Sequence, residues 1–277
     1  MKARIIILSI AALLIGTISY GKGFPKIKQH GKIAVVSHRG YWDNPRTQKS
    51  ENSLASLRLS DEFGFWGSEL DVRLTKDNKL IVWHDDDFHR INGPKGAVSS
   101  LTYDQISNLR LPNGEKVPTL DEYLAAAKKL KKTVLVFELK THKTKEQEAY
   151  LVQESLKALK KYGLLKKNKV IFISFSKYIC DLVAQQAPKF VNQYLTGNIA
   201  PADLAKDGIN GIDYDYGYLR RNPTWIKEAH DLGMSVNVWT VNNEEDIKYF
   251  INEGVDAITT NNPELVRKLL GDREYKK

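Results

Sequence analysis

From Ile33 onward the chain alternates two hydrophobic patterns. Short apolar runs rich in β-branched residues are separated by longer segments whose apolar positions recur every three or four residues. The runs predict strands at 33–37, 67–74, 133–140, 169–175, 190–196, 211–216, 235–241 and 256–260. Helical periodicity falls between them, at 53–63, 120–130, 145–162, 177–186, 201–206, 223–232, 243–253 and 263–270. Thr119 before Leu120, Asn222 before Pro223 and Asn262 before Pro263 are helix-start signals, and Gly163, Gly233, Gly254 and Gly271 stand where helices should stop. Strands separated by helices must pair in parallel through right-handed crossovers, so eight such units predict a (β/α)8 TIM barrel. A doubly wound open sheet is the competing arrangement, but it usually carries a Gly-rich phosphate loop after its first strand. Here that place holds Ser37-His38-Arg39-Gly40. Residues 85–118 exceed a normal βα connection and predict a short insertion after the second strand, lying over the barrel mouth, with a helix near 102–109.

The first residues break this pattern. Lys2 and Arg4 precede an apolar run from Ile5 to Ile15, followed by small residues through Gly21. This predicts a signal peptide over residues 1–21, with residues 22–277 as one catalytic domain, exported to a periplasmic or extracellular location. The run is short for a membrane span, which needs about 20 residues. Without Lys2 and Arg4 there remain 40 basic residues against 33 acidic ones. Much of that surplus lies in lysine clusters on predicted helices, where a solvated face is the plain reading. It also suits attraction to anionic substrates or peripheral membrane contact, but no base-reading motif accompanies it to suggest nucleic acid. Cys180 is the single cysteine, so no intramolecular disulfide can form, and its helical surroundings predict a small buried residue.

Candidate chemistry concentrates in Gly67-Ser68-Glu69-Leu70-Asp71-Val72-Arg73-Leu74. As a strand it points Glu69, Asp71 and Arg73 to one face and the leucines and valine to the other. A half-exposed edge strand would show the same alternation. In a barrel, however, reactive groups gather at the C-terminal ends of strands. That rule brings together His38 and Arg39 after the first strand, Glu69, Asp71 and, after a short continuation, His84 from the second, Glu138 and Lys140 from the third, and Trp239 from the seventh. Three carboxylates suit a hard divalent cation, Arg39 and Lys140 suit a phosphate, and two histidines suit general acid–base work. Together they suggest metal-assisted hydrolysis of a phosphodiester.

The ordered segments Ser37-His38-Arg39-Gly40, Ser50-Glu51-Asn52-Ser53, Glu69-Leu70-Asp71-Val72-Arg73-Leu74-Thr75-Lys76-Asp77, His84-Asp85, Arg90-Ile91-Asn92-Gly93, Pro118-Thr119-Leu120-Asp121-Glu122, Glu138-Leu139-Lys140 and Val238-Trp239-Thr240-Val241-Asn242 resemble the signatures of the glycerophosphodiester phosphodiesterase family. The resemblance implies a barrel enzyme that hydrolyses a small-molecule glycerophosphodiester to glycerol 3-phosphate and an alcohol. It implies His38 and His84 as the acid–base pair, and Glu69, Asp71 and Glu138 as ligands of one divalent cation, Ca²⁺ or Mg²⁺. It further implies phosphate contacts from Arg39 and Lys140, support from Glu51, and packing of Trp239 against the glycerol or alcohol. Ser50 replaces the family's usual proline, and Asp86-Asp87 extend His84-Asp85 into an acidic run. The nucleophile stays open between water and a substrate hydroxyl.

Two other functions fit the same residues. A phospholipase D-like activity on lysolipids or sphingolipids would need an apolar track at the mouth, for which Tyr41, Trp42, Phe88, Tyr214, Tyr216 and Tyr218 are candidates. A non-catalytic module binding glycerol-phosphate groups is compatible with the fold but leaves the two histidines without a purpose.

Overall fold

The computed structural model describes residue 27 and residues 33–271, so the expected signal peptide lies outside the described residues. The strands are β1 (Ala34–Ser37), β2 (Gly67–Leu74), β3 (Leu80–Val82), β4 (Val134–Leu139), β5 (Val170–Ser174), β6 (Asn192–Tyr194), β7 (Gly211–Asp215), β8 (Ser235–Trp239) and β9 (Ala257–Thr260). The helices are α1 (Leu54–Glu62), α2 (Tyr103–Ile106), α3 (Leu120–Ala127), α4 (Lys145–Lys161), α5 (Lys177–Gln186), α6 (Pro201–Lys206), α7 (Tyr216–Arg221), α8 (Thr224–Asp231), α9 (Glu244–Glu253) and α10 (Pro263–Leu269).

All strands but β3 pair in parallel, in the order β1-β2-β4-β5-β6-β7-β8-β9, and β9 returns to β1, closing the predicted eight-stranded barrel. The register sets Asp71 beside Glu138 and Asp213 beside Asn237, so inward-pointing polar residues reach similar heights. Alternate residues of each strand face the axis. Val36, Val136, Ile171, Ile173 and Leu195 fill the interior, while Leu70, Phe137, Phe172, Ile212 and Val238 pack beneath the helices. Helix starts follow the local chemistry. Ser53 accepts from the Ser56 amide, Thr119 and Glu122 form a reciprocal capping box, and Asn262 accepts from the Leu265 amide.

Three sequence expectations change. The run from Leu80 is not a continuation of the second strand. The turn at Thr75–Lys79, with Asn78 in the left-handed region and Thr75 Oγ1 bonded to Asp77, reverses the chain so that β3 returns antiparallel along β2. Residues 190–196 contribute only the three-residue β6. The sixth barrel strand, β7, ends at Asp215, whose carboxylate accepts from the Gly217 amide and starts α7, a helix the pattern did not announce. The insertion from Asp85 to Pro118 carries α2 and a small core of its own. Ile81, Trp83, Phe88, Val98, Ile106 and Val117 are buried there, with Trp83 stacked on Phe88 at 5.2 Å.

Candidate active site

The carboxyl ends of β1, β2, β4 and β8 build one wall-to-wall cluster. After β1 the backbone turns through Arg39 at φ 54° and Gly40 at φ 77°, and any side chain at Gly40 would run into Ser56. The turn aims the Arg39 amide at Glu69, which accepts at Oε2 from 2.6 Å. Glu69 Oε1 is buried without a hydrogen-bond partner among the described residues. Asp71 accepts from Asn52 Nδ2 at 2.7 Å, and Lys140 Nζ lies 3.0 Å from Asp71 and 2.7 Å from Glu138. Ligand oxygens of Glu69, Asp71 and Glu138 all lie within 4.8 Å of one another.

Electrostatics separate these acids. Burial, then the neighbouring Asp71 and Glu138, hold the Glu69 carboxyl well above its ordinary range. Burial pushes Glu138 up to about 7, Asp71 adding to the shift and Lys140 opposing it. Burial acts on Asp71 in the same sense, but Lys140, His84 and Arg39 outweigh it and hold Asp71 below its usual range. Among the described residues, three crowded buried carboxylates, Glu69 with an oxygen left open, meet the two cationic side chains of Arg39 and Lys140. A hard cation taking oxygen ligands fits that donor set.

A histidine stands on each side. His38 Nδ1 pairs with Asn261 Oδ1 at 2.8 Å, and His84 Nδ1 pairs with Asp85 Oδ1 at 2.8 Å. Each contact occupies one ring nitrogen and orients the other. Burial, then Arg39, lowers His38 to about 3, and burial followed by Lys140 and Arg39 lowers His84 against the pull of Asp71. Behind His84, Asp85 bonds Arg90 Nε at 2.8 Å, Arg90 reaches Glu51, and Glu51 pairs with Arg39 Nη1 at 3.0 Å. Glu51, His84 and Asp85 also bring ligand atoms together. Their carboxylates are committed to Arg39 and Arg90, so this group is an ion-pair chain joining the insertion to the mouth.

His38, Arg39, Glu69, His84, Glu138 and Trp239 line one cavity of about 170 Å³, and Asp71, Lys140 and Glu51 back it. Trp239 is fixed by its indole N–H donating to the Asp213 carbonyl at 2.9 Å and by an edge contact with Phe175 at 5.5 Å. All nine residues singled out in the sequence therefore converge. Others carried no such reading. Asn52 and Asn261 look like ordinary loop polar residues, and Arg73, singled out only for its strand face, grips the His84 carbonyl with Nε at 2.9 Å and Nη2 at 2.6 Å. The Asp after His84 was the one visible signal for the His84–Asp85 pair.

Half of the expected aromatic track is missing from the surface. Tyr41, Phe88 and Tyr214 are buried in the core, because Tyr214 alternates outward from Asp213 on β7 and gives its hydroxyl to the Ile199 carbonyl at 2.6 Å. Only Tyr216 and Tyr218, both on α7, are exposed. Cys180 is buried as expected, and burial raises its thiol.

A protein-family model, described as the glycerophosphoryl diester phosphodiesterase family, matches residues 38–265. The chain is 31% identical to a glycerophosphodiester phosphodiesterase of Caldanaerobacter subterraneus, over 86% of this chain and 99% of that protein. A crystal structure of a glycerophosphodiester phosphodiesterase from Parabacteroides distasonis superposes with a TM-score of 0.82 at 40% identity, covering 87% of this chain and 98% of that one. An Oleispira antarctica phosphodiesterase, solved with the product sn-glycerol-3-phosphate, shares the fold with a TM-score of 0.73 at 21% identity, covering 86% and 97% of the two chains. With the match running through the barrel and across the residues that build its mouth, the chain belongs to the glycerophosphoryl diester phosphodiesterase family.

Proposed function

We propose that the protein is an exported, metal-dependent glycerophosphodiester phosphodiesterase that releases sn-glycerol 3-phosphate and an alcohol. One observation carries this reading: the Glu69, Asp71 and Glu138 oxygens lie within 4.8 Å of one another, in a cavity wall shared with His38 and His84. Glu69, Asp71 and Glu138 would hold one Ca²⁺ or Mg²⁺, which supplies Lewis-acid stabilisation of phosphoryl oxygens when bound. Arg39 and Lys140 add fixed positive charge where negative charge develops on phosphate. His38, held neutral by burial and Arg39, takes the proton of the nucleophile, which is water or a substrate hydroxyl whose cyclic phosphate a water then opens. His84, with Asp85 behind its Nδ1, gives a proton to the departing alcohol oxygen. Trp239 packs against the carbon skeleton of the substrate.

The buried positions of Tyr41, Phe88 and Tyr214 remove half of the track that a lysolipid reading required. The test is release of glycerol 3-phosphate from a panel of glycerophosphodiesters by metal-stripped protein, with Ca²⁺ or Mg²⁺ added back. Metal-restored turnover is expected. Folded protein with no turnover on any substrate and cation pair would reject the assignment.

A further inference from the structure

The cavity contains one buried carboxyl group that the proposed chemistry does not use. Asp213 points inward from β7 and is 1% exposed, and its Oδ1 has no hydrogen-bond partner among the described residues. Its neighbour Asn237, on the adjoining strand, touches one side of the carboxyl group, while the Asn237 amide also donates to Thr259 at 3.0 Å. Asp213 is absent from the group of carboxylates whose oxygens lie within 4.8 Å of one another, so it is not placed as a fourth ligand beside Glu69, Asp71 and Glu138. The cavity it lines also carries buried Ile173, Leu195 and Thr259, Trp239 is fixed on the Asp213 carbonyl, and Glu138 is the charged neighbour that acts on its carboxyl group.

An unsatisfied carboxyl oxygen in such a wall is costly unless a ligand completes it. Half-buried His38, Arg39, His84 and Trp239 line the same cavity, and the phosphate and the variable alcohol belong against Arg39 and His84. The enclosed side is left for the part of the substrate that all glycerophosphodiesters share. That part offers hydroxyl groups, and the one farthest from phosphorus can reach beyond the three clustered carboxylates.

We propose that Asp213 is a specificity residue that accepts a hydrogen bond from the terminal glycerol hydroxyl of the substrate. This rests on the phosphodiesterase reading above. A buried group built to bond a hydroxyl discriminates strongly against an analogue that lacks it, because the protein group is then left unpaired. The carboxyl of Asp213 therefore selects glycerol over propanediol esters, while the phosphate contacts remain common to both.

The experiment compares kcat/KM for glycerophosphocholine and for the analogue lacking only the terminal hydroxyl, in wild type, Asp213→Asn and Asp213→Ala. Wild type should prefer the glycerol compound by about 100-fold, and both variants should compress that preference to within about tenfold, the loss falling mainly on the glycerol compound. Calorimetric binding of glycerol 3-phosphate against 2-hydroxypropyl phosphate, which lacks only the terminal hydroxyl, provides a second readout without turnover, and the same compression is expected there. Equal handling of the two ligands by wild type, or equal losses on both in the variants, would overturn the proposal. Wild type that binds glycerol 3-phosphate selectively but hydrolyses no diester would instead defeat the functional reading and leave Asp213 as a hydroxyl-binding residue.

Discussion

Replacing Glu69 by Gln tests whether the acid cluster is maintained at the expense of stability. Two carboxylates at the 4.8 Å limit of the cluster, at an effective dielectric near 20, repel by roughly 3.5 kcal/mol. Glu69 faces two such neighbours, Asp71 and Glu138, against the single attraction of Arg39. Its folded-state pKa is raised by burial first and by those neighbours second. Stability from this group is therefore full below the unfolded value of 4.5 and is lost as pH rises through the folded value. Glutamine keeps a carbonyl oxygen for the Arg39 amide and deletes the charge, so metal-free protein at neutral pH should gain about 1 to 3 kcal/mol. For a domain of this size that is a rise in Tm of roughly 3 to 10 °C. The metal response should move the other way. A cation at one hundred times its Kd stabilises wild type by about 2.7 kcal/mol, and the variant should lose most of that increment. Thermal unfolding in chelator, then in saturating Ca²⁺ or Mg²⁺, reads both quantities. A variant less stable than wild type in chelator, with its metal shift intact, would refute the reasoning and make Glu69 a structural acceptor.

Other expectations follow from the same geometry. His38→Ala and His84→Ala should each lower kcat by about 10² to 10⁴-fold with little change in Tm, and near-normal turnover in both would remove the acid–base assignment. Arg73→Met frees the His84 carbonyl and should lower kcat about tenfold, with Arg73→Lys recovering part of it; single-turnover kinetics of the three proteins decide this. His142 accepts the Leu74 amide at 3.0 Å through Nε2 and donates from Nδ1 to the Lys140 carbonyl at 2.9 Å, so the fold requires its neutral form. Burial, then Arg73, lowers its pKa, so its contribution is full above the unfolded value of 6.5 and is lost as pH falls toward the folded one, with a slope of at most about 1.4 kcal/mol per pH unit. His142→Gln should flatten this acid limb in urea titrations, and an unaltered limb would show that His142 is not its source.

The amino-acid order alone determined the barrel and most of its mouth. Alternating residues such as Glu69 and Asp71 must share a face, helices between strands enforce parallel pairing, and parallel strands bring their carboxyl ends to one side. Those three rules suffice to gather His38, Arg39, Glu69, Asp71, Glu138, Lys140 and Trp239. They fail where direction depends on a turn. The reversal at Thr75–Lys79 made β3 antiparallel, and the Asp215 cap turned the chain into α7. Tyr214 could be placed at the rim or in the core until the register of β7 sent it outward among the helices.

Contacts between distant segments lay beyond any local pattern. Asn261 meets His38 across 223 residues of sequence, and Arg90 joins Asp85 to Glu51 only because the insertion folds back over the mouth. Asp213 shows the difference most plainly. In the sequence it is one acid in a short strand, GIDYD, with nothing to mark it. Its burial, its open oxygen and its place in the cavity wall exist only once eight strands close and fix the height of each inward residue.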